Sequence, residues 1–309
     1  MRHESYLNRG NESFEAQPHM LHSPLLEEVH RDLGAPMFQR HREDVPSASE
    51  FSFPERQPNT LTGSEFFTQV LGAGGPHTKG VMGADRERAI LHQIELGNVP
   101  DFLRHPKKVT VHDRNGNTAE LSVMPDYLAI GTNEDFVRVP VTPVLAKAIA
   151  DKYGLALPTK KVVDDIYHQA DVRLTGRGLV YSRGDTAYMQ GNGFYLEHNQ
   201  EIERQLGGHD GELVAGHKKD IIISKYAETH PGRLDFYGLF DRTGKAIQGA
   251  HGGPHEKTYV DYSHGARFIG QDVIVDGRHM RYDDVLKNPQ LAGLLSDEGT
   301  FDPASVYRV

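Results

Sequence analysis

The second half of the chain alternates short apolar runs with tight turns, and this pattern restricts the fold more than any other feature of the sequence. Residues 234–240 and 245–248 flank the turn sequence DRTG, and Asp276-Gly277 separates two further runs. Asn115-Gly116 marks a similar turn in the first half. Such turns join neighbouring strands in an antiparallel hairpin. We therefore predict an α+β fold, with a small, mostly antiparallel sheet and flanking helices, rather than a doubly wound parallel sheet.

Helical segments are predicted on both sides of these strands. The segments in which apolar residues recur at three- and four-residue spacing are 84–96, 144–153, 160–170 and 194–206. This spacing is typical of amphipathic helices. Thr142-Pro143 is a typical helix start, because Thr caps free amide groups and Pro fits the first turn. In the last segment the spacing places His198 on the side that faces the core.

We divide the chain into three regions. Residues 1–60 are rich in Pro, Ser, Glu, Arg and His, a composition typical of a flexible N-terminal arm. The alternative for this arm is a targeting segment or a segment that binds a protein partner. Residues 61–170 are predicted to form an α/β support region, and residues 171–309 a C-terminal α+β domain that carries the site.

Composition excludes several classes of function. The 309 residues include no cysteine, which rules out cysteine proteases, thiolate zinc sites and disulfides. The net charge of −9 argues against nucleic-acid binding, which requires a basic surface. No apolar run approaches the roughly 20 residues that span a membrane. The N-terminus lacks the apolar core of a classical signal peptide, so we expect a cytoplasmic protein or export by a non-classical route, such as a phage or a contact-dependent system.

Histidine and acidic residues are concentrated between residues 213 and 268. The members of this group are His217, Asp220, His251, His255, Glu256, Asp261, Ser263 and His264. Imidazole and carboxylate groups bind zinc, transfer protons and orient nucleophiles. Asp261 and His264 are three residues apart and Gly265 permits a bend, so one turn would bring carboxylate and imidazole together. We predict that this stretch is the functional site.

Two features of this stretch resemble the zinc peptidases of the D-Ala-D-Ala dipeptidase and carboxypeptidase group. Asp220 lies next to a strand, and Asp261-x-x-His264 repeats the spacing of an acidic residue and a histidine ligand in that group. The zinc ligands that the resemblance implies are Asp220, His264 and one of His217, His198 and His255. A fourth position would hold a water molecule whose pKa the metal lowers toward about 7.

The resemblance also implies a reaction, the cleavage of an amide bond in a peptide of the cell-wall type. Asp261 or Glu256 would accept the proton of the water molecule, and Lys219 or Tyr259 would stabilise the oxyanion. Short acidic peptides, such as peptidoglycan stems, would suit the basic residues nearby. These basic residues are Lys218, Lys219 and Arg267.

Two alternative functions stay open at the level of the sequence. In a metal-independent hydrolase, Ser263 would be the nucleophile, with His198 or His255 as its base and Asp220 or Asp261 as the orienting carboxylate. In a non-enzymatic module, the polar loops would bind carbohydrate or protein.

A purely structural role is also possible for part of the stretch. Asp261 would then cap backbone amides, and His264 would bond to a buried carbonyl group. Outside the stretch, we predict solvated positions for four charged loop residues of the support region, and the alternative for each is a position that faces a cleft. These are Asp126, Glu134, Asp135 and Arg138.

Overall fold

The structure is a computed structural model, and it confirms the predicted α+β class. The described residues are 50–176, 186–251 and 255–307. Most of the predicted N-terminal arm, residues 1–49, lies outside the described residues. The described end of the arm packs against the body, where Phe51 and Phe53 are buried. The amide of Phe51 donates to the carbonyl of Arg104 at 2.7 Å.

Several helices begin at a Thr or Ser whose side chain caps a backbone amide. The α-helices of the described residues are α1 (Gly63–Glu65), α2 (Gly83–Glu95), α3 (Pro143–Lys152), α4 (Lys160–Gln169), α5 (Asn192–Leu206), α6 (Lys225–Thr229) and α7 (Tyr282–Lys287). Before α3, the Thr142 hydroxyl accepts the amide of Leu145 at 3.2 Å, and Pro143 occupies the first turn. This start is the one predicted. None of these helices is long and apolar enough to cross a membrane.

A five-stranded sheet contains strands from both halves of the chain. The strands of the described residues are β1 (Lys107–His112), β2 (Thr118–Val123), β3 (Ala129–Gly131), β4 (Phe136–Arg138), β5 (Leu155–Ala156), β6 (Val172–Arg173), β7 (Val214–Ala215), β8 (Lys219–Ile221), β9 (Phe236–Phe240), β10 (Ala246–Gln248), β11 (His264–Gly265), β12 (Ile269–Val275) and β13 (Arg278–Arg281). The larger sheet has the order β1-β2-β12-β13, and β5 also pairs with β12. The regions predicted on either side of residue 170 therefore share one sheet.

The hairpins of this sheet form at the predicted turns. Between β1 and β2, the Asp113 carboxylate accepts the amides of Asn115 and Asn117 at 2.8 and 2.9 Å. Gly116 has a φ of 88°, a left-handed conformation that glycine adopts without steric cost. Asp276-Gly277 joins β12 to β13 in the same way. Both hairpins are antiparallel, as the sequence predicts.

A four-stranded sheet positions the predicted site. Its order is β10-β9-β8-β11, with β8 antiparallel to β9 and parallel to β11. In the parallel pair, Lys219 lies opposite His264 and Asp220 lies opposite Gly265. Because successive side chains of a strand point to opposite faces, Lys219 and His264 share one face and Asp220 belongs to the other.

Close backbone packing at the end of α2 leads to a prediction. Gly97 and Gly154 follow α2 and α3 with φ values of 68° and 66°. A Cβ at residue 97 would lie 2.3 Å from the carbonyl oxygen of Glu55, whereas one at residue 154 meets nothing within 4 Å. We expect Gly154→Ala to lower the free energy of unfolding by about 1–2 kcal/mol, because alanine is unfavourable in the left-handed conformation.

Gly97→Ala has the same unfavourable conformation and adds a backbone clash. We therefore expect it to lower the free energy of unfolding by about 2 kcal/mol more than Gly154→Ala does. Urea unfolding followed by circular dichroism measures both variants. Equal losses in Gly97→Ala and Gly154→Ala would contradict the packing of residues 54–55 against the end of α2.

Candidate functional site

The face of β8 and β11 that carries His264 gathers most of the predicted site residues. We call this group the His264 cluster. Its members are Lys219, His255, Tyr259, Asp261, Ser263 and His264. The parallel pairing of β8 with β11 places Lys219 beside His264, and the turn before β11 brings the other side chains to the same face.

Asp261 is the hydrogen-bonding centre of the cluster. One carboxylate oxygen accepts the amide and the hydroxyl of Ser263 at 2.8 and 2.5 Å, and the other accepts the hydroxyl of Tyr259 at 3.2 Å. Burial alone would raise the pKa of Asp261, but His264, Lys219 and the Ser263 hydrogen bonds together lower that pKa to about 2. Asp261 is therefore a buried, ionised carboxylate at neutral pH.

His264 is buried, and within the described part of the chain its ring has no hydrogen-bond partner. Its side chain has 0% exposure, and neither ring nitrogen bonds to any of the described residues. The closest carboxylate oxygen, from Asp261, is 3.8 Å from Nε2, which is too long for a hydrogen bond. Burial lowers the pKa of His264 to about 4; Asp261 opposes this shift and Lys219 adds to it. At pH 7 the ring is a neutral imidazole whose acceptor nitrogen is unused.

Aromatic rings and the Lys219 amine surround this imidazole. The ring of Phe236 lies 4.8 Å from that of His264, and the ring of Tyr259 lies 5.7 Å away on an edge. His255 stacks on Tyr259 at 3.7 Å, and both are half-buried. Lys219, also half-buried, holds its Nζ 5.1 Å from the centre of the Phe236 ring. The cluster thus reaches the surface through His255, Tyr259 and Lys219.

Asp220 lies on the opposite face of the same sheet. Its carboxylate accepts the Tyr127 hydroxyl at 2.7 Å and lies 3.7 Å from Nε of Arg267. Burial raises the pKa of Asp220 to about 6, against the influence of Arg267. The predicted zinc shell requires Asp220 and His264 to meet at one point. The structure places them on opposite faces of the sheet instead.

The positions of the other histidine and acidic side chains do not form a metal site either, as far as the structure describes the chain. Within residues 50–176, 186–251 and 255–307, no group of three or more His, Asp or Glu side chains is arranged to hold a metal ion. Binding of zinc by the chain stays a prediction, and any such site needs a ligand set other than Asp220 with His264.

His217 belongs to a buried ion network. Its Nε2 lies 3.0 Å from Asp126, whose other oxygen accepts two bonds from Arg138 at 2.6 and 2.9 Å. Arg138 also donates to Glu203 at 2.5 Å. The prediction that Asp126 and Arg138 are solvated loop charges is wrong, because both are buried. They are enclosed by residues distant in sequence, such as His217, 91 positions from Asp126.

The charges in this network stabilise one another. Burial would raise the pKa of Asp126, but Arg138 and His217 hold that pKa far below its ordinary value. Burial lowers the pKa of His217 to about 4, and Asp126 only partly opposes the shift. His217 is therefore a neutral donor to a carboxylate, which is a structural role in this fold.

His198 is a buried partner of Lys218. The Lys218 amine lies 3.3 Å from Nδ1 of His198 and donates to the carbonyl of Tyr262 at 2.9 Å. Burial, with a further contribution from Arg138, lowers the pKa of Lys218 to about 7. Arg267 is also buried and donates to backbone carbonyls. Of the three basic residues assigned to substrate binding, only Lys219 reaches the surface.

The remaining predicted residues take other positions. The side chain of Glu256 is 66% exposed and pairs with Arg233 at 3.4 Å, away from the bonds of the cluster. Ser263 donates its hydroxyl to Asp261, and among the described residues no imidazole bonds to that hydroxyl. The serine triad is therefore not assembled in this structure. Asp261 does cap a backbone amide, whereas the carbonyl partner proposed for His264 is not found among these residues.

A surface pocket lies elsewhere on the molecule. It has a volume of about 550 Å³ and is lined by Phe51, Arg56, Arg104 and neighbouring residues. None of the predicted site residues lines it. The ionisable residues that line it are Glu50, Glu55, Asp101 and the two arginines, and its lining includes no histidine. We assign the candidate site from the chemistry of the His264 cluster, because an imidazole can exchange protons near neutral pH.

The buried neutral state of His264 leads to a pH prediction. Its folded pKa of about 4 lies below the ordinary value of 6.5, so between these values the unfolded chain binds more protons than the native chain. Protonation of the unfolded chain therefore lowers the free energy of unfolding as the pH falls from 6.5 to 4, whereas above pH 6.5 His264 adds no pH dependence. Between these limits we expect the wild type to lose about 3 kcal/mol more unfolding free energy than His264→Leu.

Urea unfolding of the two proteins at several pH values from 4 to 7 measures this difference. Parallel curves for the wild type and His264→Leu would contradict the assignment of a depressed pKa to this ring.

The cluster combines the groups that acid–base chemistry requires. It holds an ionised carboxylate, a lysine amine and a neutral imidazole whose nitrogens bond to none of the described residues. Such an arrangement can accept and return a proton and can stabilise a negative charge that develops on a bound molecule. No protein-family model, curated protein or solved structure matches this chain.

Proposed function

We propose that the protein is a hydrolase that cleaves an amide bond at the His264 cluster. The observation that carries the proposal is the buried imidazole of His264, which has no hydrogen-bond partner among the residues that the structure describes. A buried polar group without a partner costs about 1–3 kcal/mol. Groups held at such a cost, with a shifted pKa and charged neighbours, are concentrated at functional sites.

The proposed roles follow from the positions of the side chains. Because the His264 ring is fully buried, water and substrate reach it only when the half-buried His255, Tyr259 or Lys219 side chain moves aside. His264 then accepts a proton from a water molecule as the water oxygen bonds to the carbonyl carbon. It returns the proton to the leaving nitrogen as the carbon–nitrogen bond breaks. Asp261, 3.8 Å from Nε2, stabilises the imidazolium that exists between these steps. The Lys219 amine lies on the same face, where it can balance the charge on the carbonyl oxygen.

We propose a metal-independent version of this reaction at the His264 cluster. Lys219 lies opposite His264 in the β8–β11 pair and adds to the low pKa of that ring. Its positive charge repels a divalent cation at the same imidazole, because like charges repel most strongly where burial limits screening. The zinc-dependent version remains a proposal for a different ligand set.

Short peptides of the cell-wall type are the substrates we propose. Support comes from Lys219, which can pair with a peptide carboxylate, and from the half-buried His255–Tyr259 stack, which offers a flat surface to a peptide group. The alternative of a non-enzymatic module makes a different prediction, namely binding of such peptides without turnover.

A hydrolysis assay tests the proposal. The full chain, free of a histidine tag, is incubated with peptidoglycan fragments and synthetic stem peptides, with and without chelator, and released amino groups are counted. We expect amine release that is proportional to protein concentration and unchanged by chelator. Peptide binding without release of amines would support a binding module, and activity lost in chelator would support the zinc-dependent version.

A further inference from the structure

A second histidine–carboxylate pair lies around Asp235, which is 2% exposed. One oxygen of Asp235 accepts the backbone amide of His251 at 2.9 Å. The other accepts the Ser224 hydroxyl at 2.5 Å and lies 2.9 Å from Nδ1 of the His251 ring. The buried carboxylate therefore fixes both the backbone and the ring of His251.

The backbone of His251 is strained. Its φ of 63° is in the left-handed region, which residues other than glycine adopt rarely. Such a conformation is unfavourable and persists only where surrounding contacts determine it. Here the two bonds to Asp235 supply those contacts. Their combined effect is to direct Nε2 of His251 toward Glu298.

Glu298 is also held by a hydrogen bond to the backbone. One of its oxygens accepts the amide of Lys225 at 3.0 Å, and the other lies 3.5 Å from Nε2 of His251. This distance is longer than a normal hydrogen bond of about 2.7–3.2 Å. Two ligands of a tetrahedral zinc ion, with bonds of about 2.0–2.2 Å, lie about 3.4 Å apart. The gap between the two atoms therefore fits adjacent ligands of one metal ion.

We propose that His251 and Glu298 bind a divalent transition-metal ion such as zinc, through Nε2 and a carboxylate oxygen. Imidazole and carboxylate are both zinc ligands, and a carboxylate on the second ring nitrogen is the usual support of a metal-binding histidine. The His251 side chain is 36% exposed, so an ion can reach it from solvent.

This site differs from the zinc shell predicted from the sequence and is independent of the function proposed for the His264 cluster. No third His, Asp or Glu of the described chain completes a protein shell here, so water molecules fill the other positions. With two protein ligands, we expect affinity in the micromolar range and not the tight binding of a closed structural site.

Zinc titration of the tag-free full chain against a chromophoric chelator tests the proposal. His251→Asn removes the imidazole and keeps a residue that tolerates a positive φ. Glu298→Gln removes the charge of the second ligand. The matched control is His279→Asn, because His279 also lies 2.9 Å from a carboxylate, that of Asp272, but is 53% exposed on a hairpin.

We expect one zinc ion per wild-type chain at micromolar concentration, and affinity at least about 10-fold weaker in His251→Asn and in Glu298→Gln. His279→Asn is expected to bind zinc as the wild type does. Circular dichroism of each variant confirms that it is folded. No zinc binding by the wild type, or equal affinity in the wild type and both ligand variants, would overturn the proposal. Hydrolysis by the His264 cluster would be unaffected by either result.

Discussion

Replacement of Arg138 by methionine is expected to lower the free energy of unfolding by about 3–5 kcal/mol. Arg138 is buried and donates two hydrogen bonds to the buried carboxylate of Asp126. Without the guanidinium, the one side-chain partner left to Asp126 among the described residues is the neutral His217 ring. A buried charge without a counter-charge is among the most destabilising defects in a folded protein.

The matched control is Lys108→Met, which removes the cation of an exposed ion pair. Lys108 lies 2.7 Å from Glu120, but its side chain is 67% exposed. An ion pair at the surface contributes about 0–1 kcal/mol, because water and salt screen it. Urea unfolding followed by circular dichroism measures both variants. A loss in Arg138→Met no larger than that in Lys108→Met would contradict the buried ion network.

The second large effect concerns hydrolysis, and it rests on the proposed function. His264→Leu is expected to slow amide cleavage by about 10²–10⁴-fold, the usual contribution of a general acid–base group. Leucine is close to histidine in volume and fits between Phe236 and Tyr259, so the fold should be kept. Release of amino groups from the peptide that the wild type cleaves measures the rate.

His279→Leu is the control for this variant, because it removes an exposed histidine on the β12–β13 hairpin. We expect its rate to equal that of the wild type. A rate for His264→Leu within a few-fold of the wild-type rate would remove His264 from the reaction, even if the protein hydrolyses peptides.

Local sequence signals were sufficient for the fold class. Asn115-Gly116 and Asp276-Gly277 each lie in the turn of an antiparallel hairpin, because each turn requires a positive φ that Gly116, Asp276 and Gly277 adopt. Thr142-Pro143 starts a helix at the predicted position for an equally local reason. In each case the physical cause lies within a few residues of the turn or cap.

The same local signals could not predict contacts between residues that are far apart in the sequence. The parallel pairing of β8 with β11 decides which side chains share a face, and it separates Asp220 from His264. Neither strand alone reveals that partner or its register. Burial of Asp126 and Arg138 likewise depends on His217 and Glu203, which are far away in sequence. The side chains of the His264 cluster were nevertheless predicted, because most of them fall within the short stretch 255–264.

The central claim is that His264 serves an acid–base reaction, and that its buried ring lowers the free energy of unfolding of the protein. His217 provides the comparison, because it is equally buried but bonds to Asp126. His217→Leu should lower the free energy of unfolding by about 1–3 kcal/mol, since Asp126 loses a hydrogen-bond donor.

The most direct measurement is the free energy of unfolding of His264→Leu at pH 7, determined by urea titration beside the wild type. Removal of an unpartnered buried imidazole is expected to raise that free energy by about 1–3 kcal/mol. A fall of similar size, like the one expected for His217→Leu, would show that His264 is a bonded structural residue and would contradict the account.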